Sequence, residues 1–185
     1  NNRLQQSNYA YLVDFRNSAS QQFLLHLLEK DIKVKTATKL FSLNHQQDEL
    51  NFSYGSLLIP VRTQNISSDE LYESLKELSS QNSVEIIPVN TGVNSKGVDL
   101  GSNSFKNIER PKVLIVTGAD VSSTEAGEVW HLFDQQLQYP LTRVNSENLR
   151  RVPLNEFNRI VFVSGSYDFL NEAQLEELKS WIKAG

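Results

Sequence analysis

Apolar positions along the chain follow two rhythms. Short unbroken runs at Tyr9–Phe15, Leu57–Val61, Val84–Val89, Lys112–Gly118 and Arg159–Gly165 predict buried strands. Ile32–Val34 and Leu141–Val144 predict shorter ones, and Pro60 falls near a strand end, where strand geometry tolerates it. Between these runs the spacing becomes helical. Phe23, Leu24, Leu27 and Leu28 share one face, as do Leu71, Leu75 and Leu78. Val129, Phe133 and Leu137 form a third stripe, and Leu175, Leu178 and Ile182 a fourth. Start signals precede each stripe. Ser18 or Ser20 can cap the first helix, Ser67 with Glu70 and Ser122 with Glu125 form capping boxes, and Asn171 pairs with Gln174. Pro140 ends the third helix and Gly185 is placed to cap the fourth. The polar, irregular stretch from Phe41 to Phe52 predicts a loop or a β-excursion.

Strands alternating with helices, the strands apolar throughout, predict an α/β fold: an open, mostly parallel sheet with helices on both faces. Residues 1–90 form a first α/β unit, 91–110 a linker or long loop, and 111–185 a second unit, truncated after a helix that would feed another strand. The units match at a constant offset of 103 positions. Tyr11–Val13 aligns with Leu114–Val116, Leu57–Ile59 with Ile160–Phe162, and Leu75-Lys76 with Leu178-Lys179. This reads as two similar units, or as a chance match of generic α/β elements.

Charge and composition narrow the function classes. A net charge of −4 leaves no basic field for nucleic acid or an anionic membrane. No apolar run nears the ~20 residues of a membrane span. The polar first residues lack a signal-peptide core, and the absence of methionine reads as an internal piece of a longer protein. The absence of cysteine excludes disulfides, thiolate metal sites and cysteine nucleophiles. The many Asn, Gln and Ser residues suit a solvated surface.

Several constellations carry potential chemistry. His26 and Glu29 have H-x-x-E spacing, with His131 about a hundred residues on, as in a zinc set of two imidazoles and a carboxylate. With Phe23, Leu24, Leu27 and Leu28 facing inward, Glu29 points nearly opposite and His26 off centre, so a solvated helix face is the expectation and no metal site is assigned. Glu128, His131 and Asp134 follow at i, i+3 and i+6, a carboxylate–imidazole–carboxylate stripe beside Trp130. It suits acid–base work in a divergent hydrolase, or a hydrogen-bonded interface stripe. In open sheets ligands bind beyond the carboxyl ends of strands. There Gly118, Ser122, Gly165, Ser166 and Tyr167 are the candidates for a small polar ligand or glycan. No G-x-G-x-x-G, Walker or G-x-S-x-G sequence occurs.

One set of residues carries a resemblance. Gly97–Ser102, Pro111–Gly118 and Ala126-Gly127-Glu128-Val129-Trp130-His131-Leu132-Phe133-Asp134 resemble the region after the catalytic domain in large secreted zinc carboxypeptidase-like proteins of bacteria. Tyr9–Leu12, Gly55–Val61 and Leu178–Gly185 fit the same region, so the similarity spans most of the chain. The resemblance implies a flavodoxin-like, class I glutamine amidotransferase-like fold. It also implies a non-catalytic accessory role in an exported (periplasmic or extracellular) metallopeptidase. The implied partner is the upstream peptidase domain of the same polypeptide, which would hold the zinc and hydrolyse peptides; a glycan or peptide is a further implied ligand. No cofactor is assigned to this chain. The amidotransferase cysteine has no counterpart here, so glutamine hydrolysis is not implied.

Overall fold

The computed structural model describes residues 4–45 and 48–185. The chain divides into two units, Asn1–Arg110 and Pro111–Gly185. In the first, strand β1 (Ala10–Val13) leads through helix α1 (Ala19–Glu29) to β2 (Lys35–Ala37). A hairpin of β3 (Phe41–His45) and β4 (Asp48–Phe52) follows. Then come β5 (Leu57–Pro60), helix α2 (Ser68–Asn82), β6 (Ile87–Val89), β7 (Lys96–Gly97) and β8 (Phe105–Asn107). The main sheet has the order β6-β1-β5-β2-β8, and β4-β3-β7 form a second sheet. Without its last strand, the main sheet has the split βαβ path, in which α1 joins β1 to β2 across the later strand β5 and α2 joins β5 to β6 across β1.

Every strand pair in this unit is antiparallel. This corrects the expectation of a mostly parallel sheet here, and the reason is physical. A continuous apolar run reports that both faces of a strand are covered, whatever the direction of its neighbours. Tyr11 and Val13 of β1 and Leu57 and Ile59 of β5 join Phe23, Leu27, Leu71 and Leu75 in a core under the two helices. Their neighbours Ala10, Leu12 and Leu58 point the other way, onto Phe41, Leu43, Phe52 and Phe105. Phe41 stacks on Phe52 at 4.8 Å and meets Phe105 edge-on at 5.3 Å. The second sheet thus covers the face that the helices leave bare.

Residues 91–110 are not a free linker. They supply β7 and β8 and bury Leu100 and Phe105 in the second core. Gly97 sits at φ +83 with space for no side chain, because a Cβ would lie 2.5 Å from Leu40 O. Ile32 and Val34 are buried, but the paired strand begins one residue later, at Lys35. Helix α1 starts without a side-chain bond from Ser18. Asn17 Oδ1 accepts from the Ala19 N–H instead, and the Ser20 hydroxyl donates to Asp14 O. Ser67 and Glu70 make the full reciprocal capping box at α2.

The second unit holds β9 (Val113–Thr117), helix α3 (Ser123–His131), β10 (Thr142–Asn145), β11 (Arg159–Val161) and helix α4 (Glu172–Ala184). Its three strands run in the order β10-β9-β11, and both pairs are parallel. Leu114 and Val116 face a cluster that includes Leu149, Leu154, Leu178 and Trp181. Ile115 faces Val121, Ala126 and Val163. The internal repeat does not survive as two similar units. Its aligned strands are paired antiparallel in the first unit (β1 with β5) and parallel in the second (β9 with β11). Of the aligned helix residues, Leu75 is fully buried and Leu178 only half-buried.

Candidate functional site

In the second unit, the loops after β9 and β11 meet at the carboxyl ends of those strands. Gly118 and the Asp120–Ser122 loop follow β9, and Ser164–Tyr167 follow β11. An isolated antiparallel bridge joins Val121 to Gly165. The Ser122 N–H donates to Ser164 O at 2.7 Å, and the Ser166 N–H donates to Asp120 O at 2.9 Å. Gly165 must lack a side chain, since a Cβ there would lie 2.5 Å from Asp120 O and 2.6 Å from Val121 Cα. Gly118 takes φ +129, and its missing Cβ leaves room for Ser146 Oγ, which donates to Asp120 Oδ2 at 2.8 Å. The structure thus brings Gly118, Ser122, Gly165, Ser166 and Tyr167 to one place.

Their polar atoms are spent on one another. The Ser122 hydroxyl accepts from the Glu125 N–H as the cap of α3. Ser166 Oγ donates to Asp168 Oδ2 at 2.8 Å, and Tyr167 donates to Val163 O at 2.6 Å. Glu125 does not close the reciprocal capping box. Its carboxylate reaches across to accept the Ser164 backbone N–H at 2.8 Å, which ties the first turn of α3 to the end of β11. That bond, together with the Ser164 hydroxyl, holds the Glu125 carboxyl below its usual range. Burial, and secondarily the Glu125 charge, pushes the Tyr167 phenol up. The result is a braced junction of two strand ends. Position alone marks such a crevice in sequence, but which donors remain free is decided by the loops.

Glu128, His131 and Asp134 all stand exposed. Helix α3 stops at His131, and residues Leu132–Gln136 continue as a π-helix. An i→i+5 ladder turns less per residue than an α-helix, so Asp134 leaves the stripe that uniform α-helical spacing predicts. The Asp134 carboxylate accepts instead from its neighbour Gln135. Trp130 is 38% exposed, and the Arg143 guanidinium lies 5.5 Å from its ring centre. His26 lies in the first unit with Nδ1 shielded from water and unbonded to any described residue. Among the described residues no group of three or more His, Cys, Asp or Glu is placed to hold a metal ion. No described helix is long and apolar enough to cross a membrane.

Sequence reasoning missed two features. One is the Glu125–Ser164 tie, which a local capping signal conceals. The other is a cleft in the first unit lined by amide side chains, which composition presents only as a polar surface.

No protein-family model matches the chain, and no curated protein does. Two solved structures do: formyltetrahydrofolate deformylases from Burkholderia mallei and Pseudomonas putida. They are 9% and 11% identical, with TM-scores of 0.25 and 0.23. Each alignment covers 95% of this chain and 55% of the other, so the chain spans little more than half the length of the structures it matches. Likenesses at those scores carry neither a fold nor a function for this chain.

Proposed function

We propose that this chain is a non-catalytic accessory segment of an exported bacterial zinc metallocarboxypeptidase-like protein. It docks against the upstream peptidase domain of the same polypeptide, and peptide hydrolysis and its zinc belong to that domain. The observation that supports this reading is how the second unit presents the residues that carry the resemblance. Gly127–Asp134 forms the end of α3 and the start of the π-helix, with Val129 packed on the core and Glu128, Trp130, His131 and Asp134 exposed. Trp130 stands half-open with a guanidinium beside its ring. An indole flanked by arginine is a common anchor of protein–protein contacts, since it offers a large apolar surface with a polar edge. The parallel order β10-β9-β11, with helices packed on both faces, supports a flavodoxin-like reading of this unit.

The test is calorimetric binding of this chain to the separately produced peptidase domain. Trp130→Ala weakens the contact at least tenfold, and Arg143→Ala weakens it less. Unchanged affinity in Trp130→Ala, or no association of the unaltered chain, sinks the reading. Zinc titration of the metal-free chain is the companion measurement. A tight stoichiometric site lost in His131→Ala would make the chain a metalloenzyme candidate instead.

A further inference from the structure

The first unit contains a cleft that none of the chemistry above uses. Two cavities, of about 580 and 180 Å³, share Gln5, His45 and Pro88 beside the edge strand β6. The smaller is lined by Gln5, Gln6, Asn44, Asn90, Thr91 and Asn94. Of these, Gln6 Nε2 donates to Asp69 Oδ1, Asn90 Oδ1 accepts from the Ser7 hydroxyl and the Asn8 N–H, and Thr91 Oγ1 accepts from the Val93 N–H. The exposed Val93 adds apolar surface, while Leu43 and Val89 belong to the buried core. The described lining includes the His45 imidazole but no lysine, arginine, aspartate or glutamate. Asn94 is fixed there by two bonds. Its N–H donates to Asp99 Oδ1 at 3.0 Å and its Nδ2 donates to Val98 O at 2.5 Å. Its Oδ1, shielded from water, accepts a hydrogen bond from no described residue.

We infer that this cleft binds a neutral, polyhydroxylated ligand: one saccharide ring in the smaller chamber, with further rings along the larger one. Side-chain amides both donate and accept, and so does every sugar hydroxyl, so the two surfaces match without charge. In the smaller chamber a phosphate or carboxylate would meet no lysine or arginine, only the His45 imidazole, and a cation would meet no carboxylate, so either would lose hydration with little compensation. In the larger chamber Asp48 and Glu85 offer carboxylate acceptors to further hydroxyls. The exposed Val93 side chain suits the C–H face of a ring. In the larger chamber Ser79 and Ser80 donate to Val84 O and Lys76 O, which leaves their oxygens as acceptors. An extended peptide would instead add to the free edge of β6. The central residue of that strand is Pro88, which has no N–H to offer. The inference rests on the first unit alone and stands apart from the docking role of the second.

The experiment is a titration of the nitrogen-15-labelled chain, followed through its side-chain amide signals. The probes are maltotriose, tri-N-acetylchitotriose and the tripeptide Ala-Asn-Ala. At least one saccharide shifts the Gln5, Asn44, Asn90 and Asn94 amides saturably in the millimolar range or tighter, and which one responds tells a glucan from an amino-sugar polymer. Asn94→Leu weakens that binding at least tenfold. Asn44→Ala, at an exposed strand position where folding is not at stake, also weakens it. Three outcomes overturn the inference: no shift with either saccharide, saturation by the peptide alone, or saccharide binding that both variants leave unchanged.

Discussion

Truncating Leu75 and Leu178 to alanine separates two accounts of this chain. The residues occupy matching places in the sequence repeat, so equivalent units would pay equal penalties. The structure places them differently. Leu75 is 0% exposed, in the core beneath α1 and α2 with Phe23, Leu27 and Leu71. Emptying such a site removes the transfer free energy of the side chain and leaves a cavity, together about 3–4 kcal/mol. Leu178 is half-buried at the margin of its cluster. Solvent already reaches it and fills what truncation vacates, so about 1–1.5 kcal/mol is expected. The units can be read separately. Both tryptophans, Trp130 and Trp181, lie in the second unit, so urea unfolding followed by their fluorescence reports on that unit. Amide exchange of β1 reports on the first. Leu75→Ala should lower the protection of β1 by roughly two to three orders of magnitude, since about 1.4 kcal/mol is a factor of ten. Leu178→Ala should move the fluorescence midpoint modestly at unchanged slope. Equal losses in the two variants, or a loss below about 1 kcal/mol for Leu75→Ala, would refute the burial argument.

Three further outcomes follow from local geometry. Ser67→Ala removes a working capping box and should cost about 1 kcal/mol in urea unfolding, while Ser18→Ala, whose hydroxyl makes no cap bond, should change stability by no more than a few tenths. Gly165→Ala drives a methyl into the backbone of Asp120 and Val121 and should visibly lower the melting temperature. Gly127→Ala, mid-helix with open space around its Cβ, should raise stability by about 0.4–1 kcal/mol. The Glu125 carboxyl has a folded-state pKa below its unfolded value, so its contribution is complete above the unfolded value and is lost as pH falls through the folded one. Carbon-13 NMR titration of Glu125 should show the depressed midpoint, and Ser164→Pro, which deletes the donated N–H, should raise it.

The helix starts at Ser67, Ser122 and Asn171, the apolar stripe of α2 and the cores of β1, β5 and β9 are legible in the amino-acid sequence. Capping and periodicity are local, set by groups within about four residues of each other. Strand direction was not legible in the first unit. Ala10–Val13 is apolar because the helices cover one face of its sheet and the β3–β4 hairpin region the other, and a parallel neighbour would demand the same residues. The excursion from Phe41 to Phe52 looks polar because its β4 half alternates, yet Phe41 and Phe52 stack to close the second core. The meeting of the strand-end loops was legible by position, through Gly118, Ser122 and Gly165. Its bonding was not, because Glu125 chooses Ser164 over its own helix start only once β11 is alongside. The amide-lined cleft was hidden altogether: Gln5, Asn44 and the Asn90–Asn94 segment lie far apart in the chain. Sequence alone therefore determined which segments are helices and where α2, α3 and α4 begin, since those follow from neighbouring residues. It did not determine the burial of every stripe: Leu175 and Ile182 of α4, expected to face inward, stand 42% and 67% exposed. Tertiary structure decided strand direction, the loss of the repeat and every free or satisfied donor, since those depend on what packs against each segment from a distance.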